Sequence, residues 1–292
     1  MTEIRDLKLL VSLARNRHFS RAAEDCGISQ PAFSARIRKM EDALAIPLVR
    51  RGNKFLGFTR EGEVVLKWAR RLLNDTEGMR QEIDALRQTL KGKLVVGTVP
   101  TALPFAAHVS SRLRKTHPGL SLELQSLSSR QIDIRLNDYS LDAGITYFSE
   151  ADPDCTESLY KEKYVLLAPE HLAPRSSGQA RWSEAAKLPL CLLTPDMRNR
   201  QFVDETFRSI GASPTIVMEA NGFTAVLVQV SSGNAATIAP KSVAETYFAR
   251  QNSVELDLVE PFVTQTIGLA IKEQTPEPPI ITAFRHAVHQ SL

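Results

Sequence analysis

Residues 20–39 read SRAAEDCGISQPAFSARIRK, and the reading of the amino-terminal fold starts there. They spell two short helices hinged at Gly27. Ser20 and Ser29 stand where an N-cap oxygen would satisfy free backbone donors, Gly27 offers the positive φ that closes a helix, and Pro31 fits only in a first turn. From Ser29 onward, Phe33, Ile37, Met40 and Leu44 recur at helical spacing as a buried stripe, which leaves Gln30, Pro31, Ser34, Ala35 and Arg38 pointing outward. A small, polar, basic face is what a helix needs to enter a DNA major groove. Upstream, Leu7, Leu10, Val11 and Ala14 give residues 4–16 an apolar face for a preceding helix. Downstream, Arg50, Arg51, Asn53 and Lys54 lie between the apolar anchors Leu48, Phe55 and Phe58, the pattern of a β-wing.

Two capped helices joined at a glycine occur in many α-rich domains, and charge separates the cases. Residues 1–60 hold twelve Lys or Arg against six Asp or Glu, whereas the remainder holds 24 against 27. The whole chain carries only +3, so its basicity is confined to one end, as phosphate contacts require.

The segment 7–73 carries Ala22-Ala23, then Ser29 to Ser34, Ile37 and Glu41, then Pro47-Leu48, Arg50-Arg51, Phe58-Thr59 and Glu61-Gly62. In these residues it closely resembles the LysR-type transcriptional regulators, and the length and order of the rest fit the same family. The resemblance implies that Gln30, Pro31 and Ser34 touch the major groove, with Ser29 at the head of the helix, and that Arg50, Arg51 and Asn53 track the backbone or minor groove. Many members carry Arg directly after the recognition-helix Ser. Here that position is Ala35, so a common guanine contact is missing and Arg36 or Arg38 contributes instead.

With 292 residues and 43% hydrophobic content the chain can bury one or two good cores, and two or three domains are expected. No apolar run is long enough to cross a bilayer and no signal-peptide core follows the N-terminus, so a cytoplasmic protein without a membrane partner is expected. Cys26, Cys155 and Cys191 show no metal-like spacing, and an odd number cannot pair fully, which fits a reducing compartment.

After the wing, Val65, Ala69, Leu72, Thr76, Met79, Ile83, Leu86 and Leu90 alternate spacings of four and three. That is the seam of a coiled coil and predicts a dimerisation helix, with Lys91-Gly92-Lys93 as the joint that ends it. Packing within its own domain is the plainer alternative. Two recognition helices reading two half-sites would favour an inverted-repeat target.

Beyond the joint the pattern alternates α and β. Strands are expected over 94–99, 120–127 and 141–146 with helices over 104–115 and 129–138, then strands over 164–168, 190–193, 215–219 and 236–238 with helices over 201–210 and 223–230. The overall class is α/β: a winged helix-turn-helix over 1–60, a linker helix and hinge over 61–92, and an effector domain over 93–292 built as two doubly wound lobes. The family resemblance implies a periplasmic-binding-protein-like architecture, lobe I being 93–163 and 267–292 and lobe II 164–266.

Open α/β sheets place ligands beyond the carboxyl ends of their strands. Thr98, Pro100 and Thr101 follow the first strand, Ser128 and Ser129 the second, Thr194 and Met197 a second-lobe strand, and Asn221 precedes a second-lobe helix. Such residues commonly serve only as helix caps, but their joint placement beside helix N-termini makes a cradle for a small anionic metabolite. The resemblance aligns Thr101, Ser129 and Tyr147 with effector-pocket positions. It also implies a dimer of dimers, with RNA polymerase as a further partner.

No catalytic elbow, phosphate loop or metal motif is legible, and His286 and His289 suit a helix end better than a metal. The expectation is therefore a regulator rather than an enzyme, with no cofactor. The rivals are a solute-binding protein, an α/β enzyme, and, among regulators, a thiol redox sensor using Cys155 or Cys191. Neither cysteine has a basic cluster in sequence to activate it.

Overall fold

The computed structural model describes residues 3–51, 54–87, 89–148, 155–175, 178–247 and 252–292, and the chain divides into two compact units. The first contains α1 (Ile4–Asn16), α2 (Phe19–Asp25), α3 (Gln30–Leu44), β1 (Val49–Arg51), β2 (Phe55–Phe58) and α4 (Arg60–Leu86). Phe33, Ile37 and Met40 of α3 pack with Leu10 and Leu13 of α1, Ala22 and Ala23 of α2, and Leu66 and Ala69 of α4. Each large apolar side chain buried this way contributes about 2 kcal/mol. Leu44 stays exposed, so the predicted stripe ends one turn early. Three edge-to-face pairs, Phe33 with Phe19, Phe19 with Phe55, and Phe55 with Phe58, carry the packing from α3 through α2 into the wing.

Ser29 caps α3 by accepting from the Ala32 N–H, with Pro31 in the first turn, and Gly27 has φ +67°. Ser20 is not a cap. Helix α2 begins at Phe19 with His18 before it, and Ser20 sits on its exposed side. Several motif residues prove to be scaffold. Glu41 Oε1 accepts from the backbone of Leu48 and Val49, at 2.9 and 3.2 Å. Thr59 caps α4 by accepting from Gly62 N–H at 2.9 Å while its hydroxyl donates to Pro47 O at 2.6 Å. A Cβ on Gly62 would lie 2.0 Å from Leu48 O, so only glycine lets α4 cross the wing strand this closely.

The second unit begins with β3 (Gly92–Thr98), a short 3-10 turn (Pro100–Ala102), α5 (Leu103–Thr116), β4 (Leu120–Ser126), α6 (Ser129–Asn137) and β5 (Ala143–Tyr147). Then come β6 (Cys155–Pro169), β7 (Gln179–Arg181), α7 (Trp182–Ala185), β8 (Pro189–Leu193), α8 (Arg198–Ser209), β9 (Thr215–Ala220) and α9 (Phe223–Ser231). The unit closes with β10 (Thr237–Pro240), α10 (Lys241–Tyr247), β11 (Ser253–Val259), β12 (Thr264–Ala270) and α11 (Pro279–His289). Strand β3 pairs in parallel with β4 and β5, and β12 runs antiparallel to β5 and β6. Strand β6 spans both lobes. Its residues up to Lys163 pair with β12, and from Tyr164 onward it pairs with β10 and β11. Strands β8 and β9 form a parallel pair, joined to the stretch before β10 through Leu190 and Ala236.

The lobe II part of β6 is buried on both faces. Tyr164, Leu166 and Ala168 pack with Trp182 and Phe207, whereas Val165 and Leu167 pack with Cys191, Phe223 and Val226. That is the signature of a sheet covered by helices on both sides.

Three expectations need correction. The linker helix stops at Leu86, and Gly92 already belongs to β3 rather than to a free joint. The chain returns from lobe II through residues 260–263, because Thr264 is already paired with Lys163. Strand β6 is three times the length expected from its apolar part, since in its lobe I part exposed Ser158, Lys161 and Lys163 interrupt the apolar run.

Candidate nucleic-acid interface and effector site

On α3 the face away from the core carries exposed Gln30, Pro31, Ala35 and Arg38 and half-buried Ser34. Gln30 Nε2 donates to Ser34 Oγ at 3.1 Å, one helical turn on, so both polar groups point the same way with hydrogen-bonding capacity to spare. Arg36 does not join them. It turns toward α1 and pairs with Asp6 at 3.6 Å, which corrects its placement on the reading face. Arg50 is exposed on β1, the side chain of Arg51 is outside the described part, and Asn53 lies outside the described residues. Asp25 binds Ser12, Arg15 and Asn16 of α1 and so fixes α1 against α2. The Ser12 hydroxyl, then Arg15, hold its carboxyl below the usual range.

The open face of α4 differs from the predicted seam at its start. Val65 and Ala69 pack into the unit's own core, because the helix must cover α1 there. The exposed apolar stripe runs instead through Val64, Trp68, Leu72, Met79, Ile83 and Leu86. Thr76 lies along it with its hydroxyl donating to Leu72 O.

In the second unit, the predicted effector residues divide by role. Thr98 is fully buried and donates to Val99 O, and Pro100 opens the short turn after β3. Ser128 binds Gln131 at the start of α6 through both N–H and hydroxyl, and Ser129 Oγ accepts from Thr146 at 3.0 Å. Met197 packs with Val165, Cys191 and Phe223 as core, Asn221 is exposed, and the buried Thr194 hydroxyl has no hydrogen-bond partner among the described residues.

Thr101 and Tyr147 belong to a larger arrangement. Thr101 Oγ1 and Tyr147 OH are 3.1 Å apart, and Tyr147 OH donates to Glu162 Oε2 at 3.2 Å. Glu162 sits on β6 at the end of its lobe I part and Tyr164 at the start of its lobe II part. The carboxyl is only 3% exposed, and burial pushes its pKa up to about 7, opposed by the hydroxyls of Thr101, Tyr147 and Tyr164. Burial also raises the pKa of Tyr147, Tyr160 and Tyr164. Glu162, Tyr164 and Asn199 are functional candidates that the sequence reading passed over. The available signal was the alternation along 160–168, which puts Tyr160, Glu162 and Tyr164 on the side opposite exposed Lys161 and Lys163.

Among the described residues no group of three or more His, Cys, Asp or Glu could hold a metal. His289 instead contacts Glu157 at 2.7 Å. Cys191 is buried in β8, where burial pushes its thiol up. Cys26 is half-buried, and the side chain of Cys155 is outside the described part.

Comparison with known proteins gives two family matches: "Bacterial regulatory helix-turn-helix protein, lysR family" over residues 4–63 and "LysR substrate binding domain" over residues 87–292. Escherichia coli OxyR, described as a DNA-binding transcriptional dual regulator, is 28% identical over 94% of this chain and 90% of its own length. BenM of Acinetobacter baylyi is 24% identical over 92% of this chain and 90% of its own length. Among solved structures, a full-length OxyR variant from Pseudomonas aeruginosa superposes with TM-score 0.77 at 24% identity, covering 99% of this chain and 95% of that one. CbnR in complex with its target DNA superposes with TM-score 0.72 at 21% identity over the full length of both chains.

Proposed function

Because the chain belongs to the LysR family of transcriptional regulators, we propose that it reads its operator with the open face of α3 and the wing of a homodimer, and that a small metabolite held between the two lobes modulates promoter activity. The observation that carries the first part is the division of α3 into two faces. Phe33, Ile37 and Met40 are buried at 3% exposure or less, and the opposite side presents exposed Gln30, Pro31 and Arg38 and half-buried Ser34. A helix anchored so firmly on one side holds its other side rigid for base edges. Ser29 starts that helix, while Arg50, Arg51 and Asn53 are the wing's contribution to phosphate or minor-groove contacts.

The exposed stripe from Val64 to Leu86 supports pairing of two α4 helices, which would set the spacing of the half-sites. Association of the effector lobes into a dimer of dimers, action on RNA polymerase and a cytoplasmic location complete the reading. The effector is assigned to the seam where Thr101 and Tyr147 meet Glu162, with Thr98, Pro100, Ser128, Ser129, Thr194, Met197 and Asn221 around the strand ends as the wider set. A thiol switch gains no support from the described cysteines, since burial of Cys191 disfavours the reactive thiolate.

A salt-titrated electrophoretic shift on the DNA flanking the protein's own gene tests the DNA reading. Specific binding should weaken steeply with salt, and Arg38→Ala or Ser34→Ala should reduce it while leaving the circular dichroism unchanged. Parental binding by both variants would show that α3 is not the reading helix.

A further inference from the structure

We propose that Glu162 sets the chemistry of the ligand taken between the lobes: the site accepts a group that donates hydrogen bonds, such as an amide, hydroxyl or protonated amine, and turns away a carboxylate. This rests on the reading that the effector binds at the interlobe seam, and it opposes the anionic effector expected from the helix N-termini alone.

The argument begins with where Glu162 stands. Strand β6 passes from one lobe to the other between Lys163 and Tyr164, so Glu162 and Tyr164 flank the crossing on one side of the strand. Thr101 arrives from the turn after β3, Tyr147 from the end of β5, and Asn199 from the first turn of α8 after β8. These are the strand ends where open α/β sheets bind their ligands. Thr101, Tyr147 and Tyr164 act directly on the carboxyl, and the Asn199 amide acts on the Tyr147 and Tyr164 hydroxyls beside it.

Hydrogen bonding there is incomplete. Glu162 Oε2 accepts from Tyr147, but among the described residues Glu162 Oε1 and the buried Tyr164 OH, Tyr160 OH and Asn199 Nδ2 make no hydrogen bond of ordinary geometry, although the Tyr164 hydroxyl still acts on the carboxyl and the Asn199 amide on Tyr147 and Tyr164. Buried polar groups ordinarily find partners, and a carboxylate has room for about four donors. A ligand that donates to Oε1 and accepts from the Asn199 amide would satisfy both.

Charge points the same way. The titratable groups that face Glu162 are Tyr147 from β5 and Tyr160 and Tyr164 from its own strand, and the Thr101 hydroxyl faces it without a charge. Across the ladder its β12 neighbour is Gln265. Lys161 and Lys163 lie on the exposed side of β6. On α8, the Arg200 guanidinium is already held by Leu193 O, Asp204 and Glu219. With no cation facing the carboxyl among the described residues, a ligand carboxylate would meet like charge or force a proton onto one of the two groups, whereas an ammonium would supply the missing countercharge.

The test uses the full chain and three probes of similar size, acetate, acetamide and ethylammonium, at equal concentration and ionic strength. Thermal midpoints are read at about pH 6 and about pH 8, on either side of the raised ionisation. In the parent at the higher pH, acetamide and ethylammonium should raise the midpoint more than acetate, and the lead of ethylammonium over acetate should shrink at the lower pH. In Glu162→Gln that lead should vanish and lose its pH dependence. Equal or greater stabilisation by acetate in the parent, an unchanged ranking in Glu162→Gln, or no stabilisation by any probe would overturn the proposal. Should the variant fail to fold, the parent's pH comparison decides alone, a pH-independent ranking counting against it. Hydrogen exchange with bound probe separates the two readings. Slowed exchange around Tyr147, Glu162 and Asn199 leaves only the charge selection at stake, whereas slowed exchange elsewhere overturns the interlobe site itself.

Discussion

Replacing Gly62 with alanine sets two effects of opposite sign against each other, and the structure decides between them. Gly62 lies in the first turn of α4, and Gly→Ala in a helix normally stabilises by up to about 1 kcal/mol. Here the added Cβ would lie 2.0 Å from Leu48 O, 2.9 Å from Leu48 C and 3.1 Å from Thr59 Oγ1. Ordinary contact begins at 3.4 Å, so the helix start and the wing strand must separate by about 1.4 Å. That movement strains the Thr59 cap, worth about 1 kcal/mol, and the pair of bonds from Leu48 and Val49 to the Glu41 carboxyl, each worth about 1.5–3 kcal/mol. Relaxation preserves part of these, and the net expectation is a loss of about 2–4 kcal/mol. Urea unfolding followed by far-UV circular dichroism measures it, and DNA affinity should fall with it because the wing loses its anchor to α3. A variant as stable as the parent, or more so, would show that helix propensity outweighs the close approach and would refute this account.

Glu162→Gln should alter how stability depends on pH. Because the folded carboxyl ionises at about 7 rather than the usual 4.5, its protonated form stabilises the fold fully below the usual value, and that contribution is lost as pH rises through about 7. Parent stability should therefore fall by roughly 3 kcal/mol between about pH 4.5 and about pH 7.5 from this group, a slope the variant lacks; parallel slopes in urea titrations of the two would count against the assignment. On α4, Trp68→Ala combined with Leu72→Glu should shift the dimer toward monomer in sedimentation velocity by more than tenfold in dissociation constant, since both side chains are about half exposed in the single chain. Val65→Ala should instead lower stability by about 1 kcal/mol and leave association intact, because Val65 faces the unit's own core.

Local signals fixed much of this protein without any tertiary information. Ser29, Pro31 and Gly27 act through the backbone of their own turn, so α3 was legible to its first residue, as was the α1 span, whose apolar spacing is regular. Thr101 could be picked out as a residue at a strand end, whereas Tyr147 came only with the family resemblance. Other properties depend on what lies opposite in space. The sequence offers Val65 and Ala69 as seam residues, and only the position of α1 against α4 turns them inward and leaves Val64 and Trp68 outside. Arg36 looks like a DNA contact until Asp6 of α1 is placed beside it. Glu162 reads as one more surface charge between two lysines. Its character comes from burial among Thr101, Tyr147 and Tyr164, groups brought together from distant parts of the chain, because desolvation is a property of the whole surrounding volume and periodicity along one strand does not contain it.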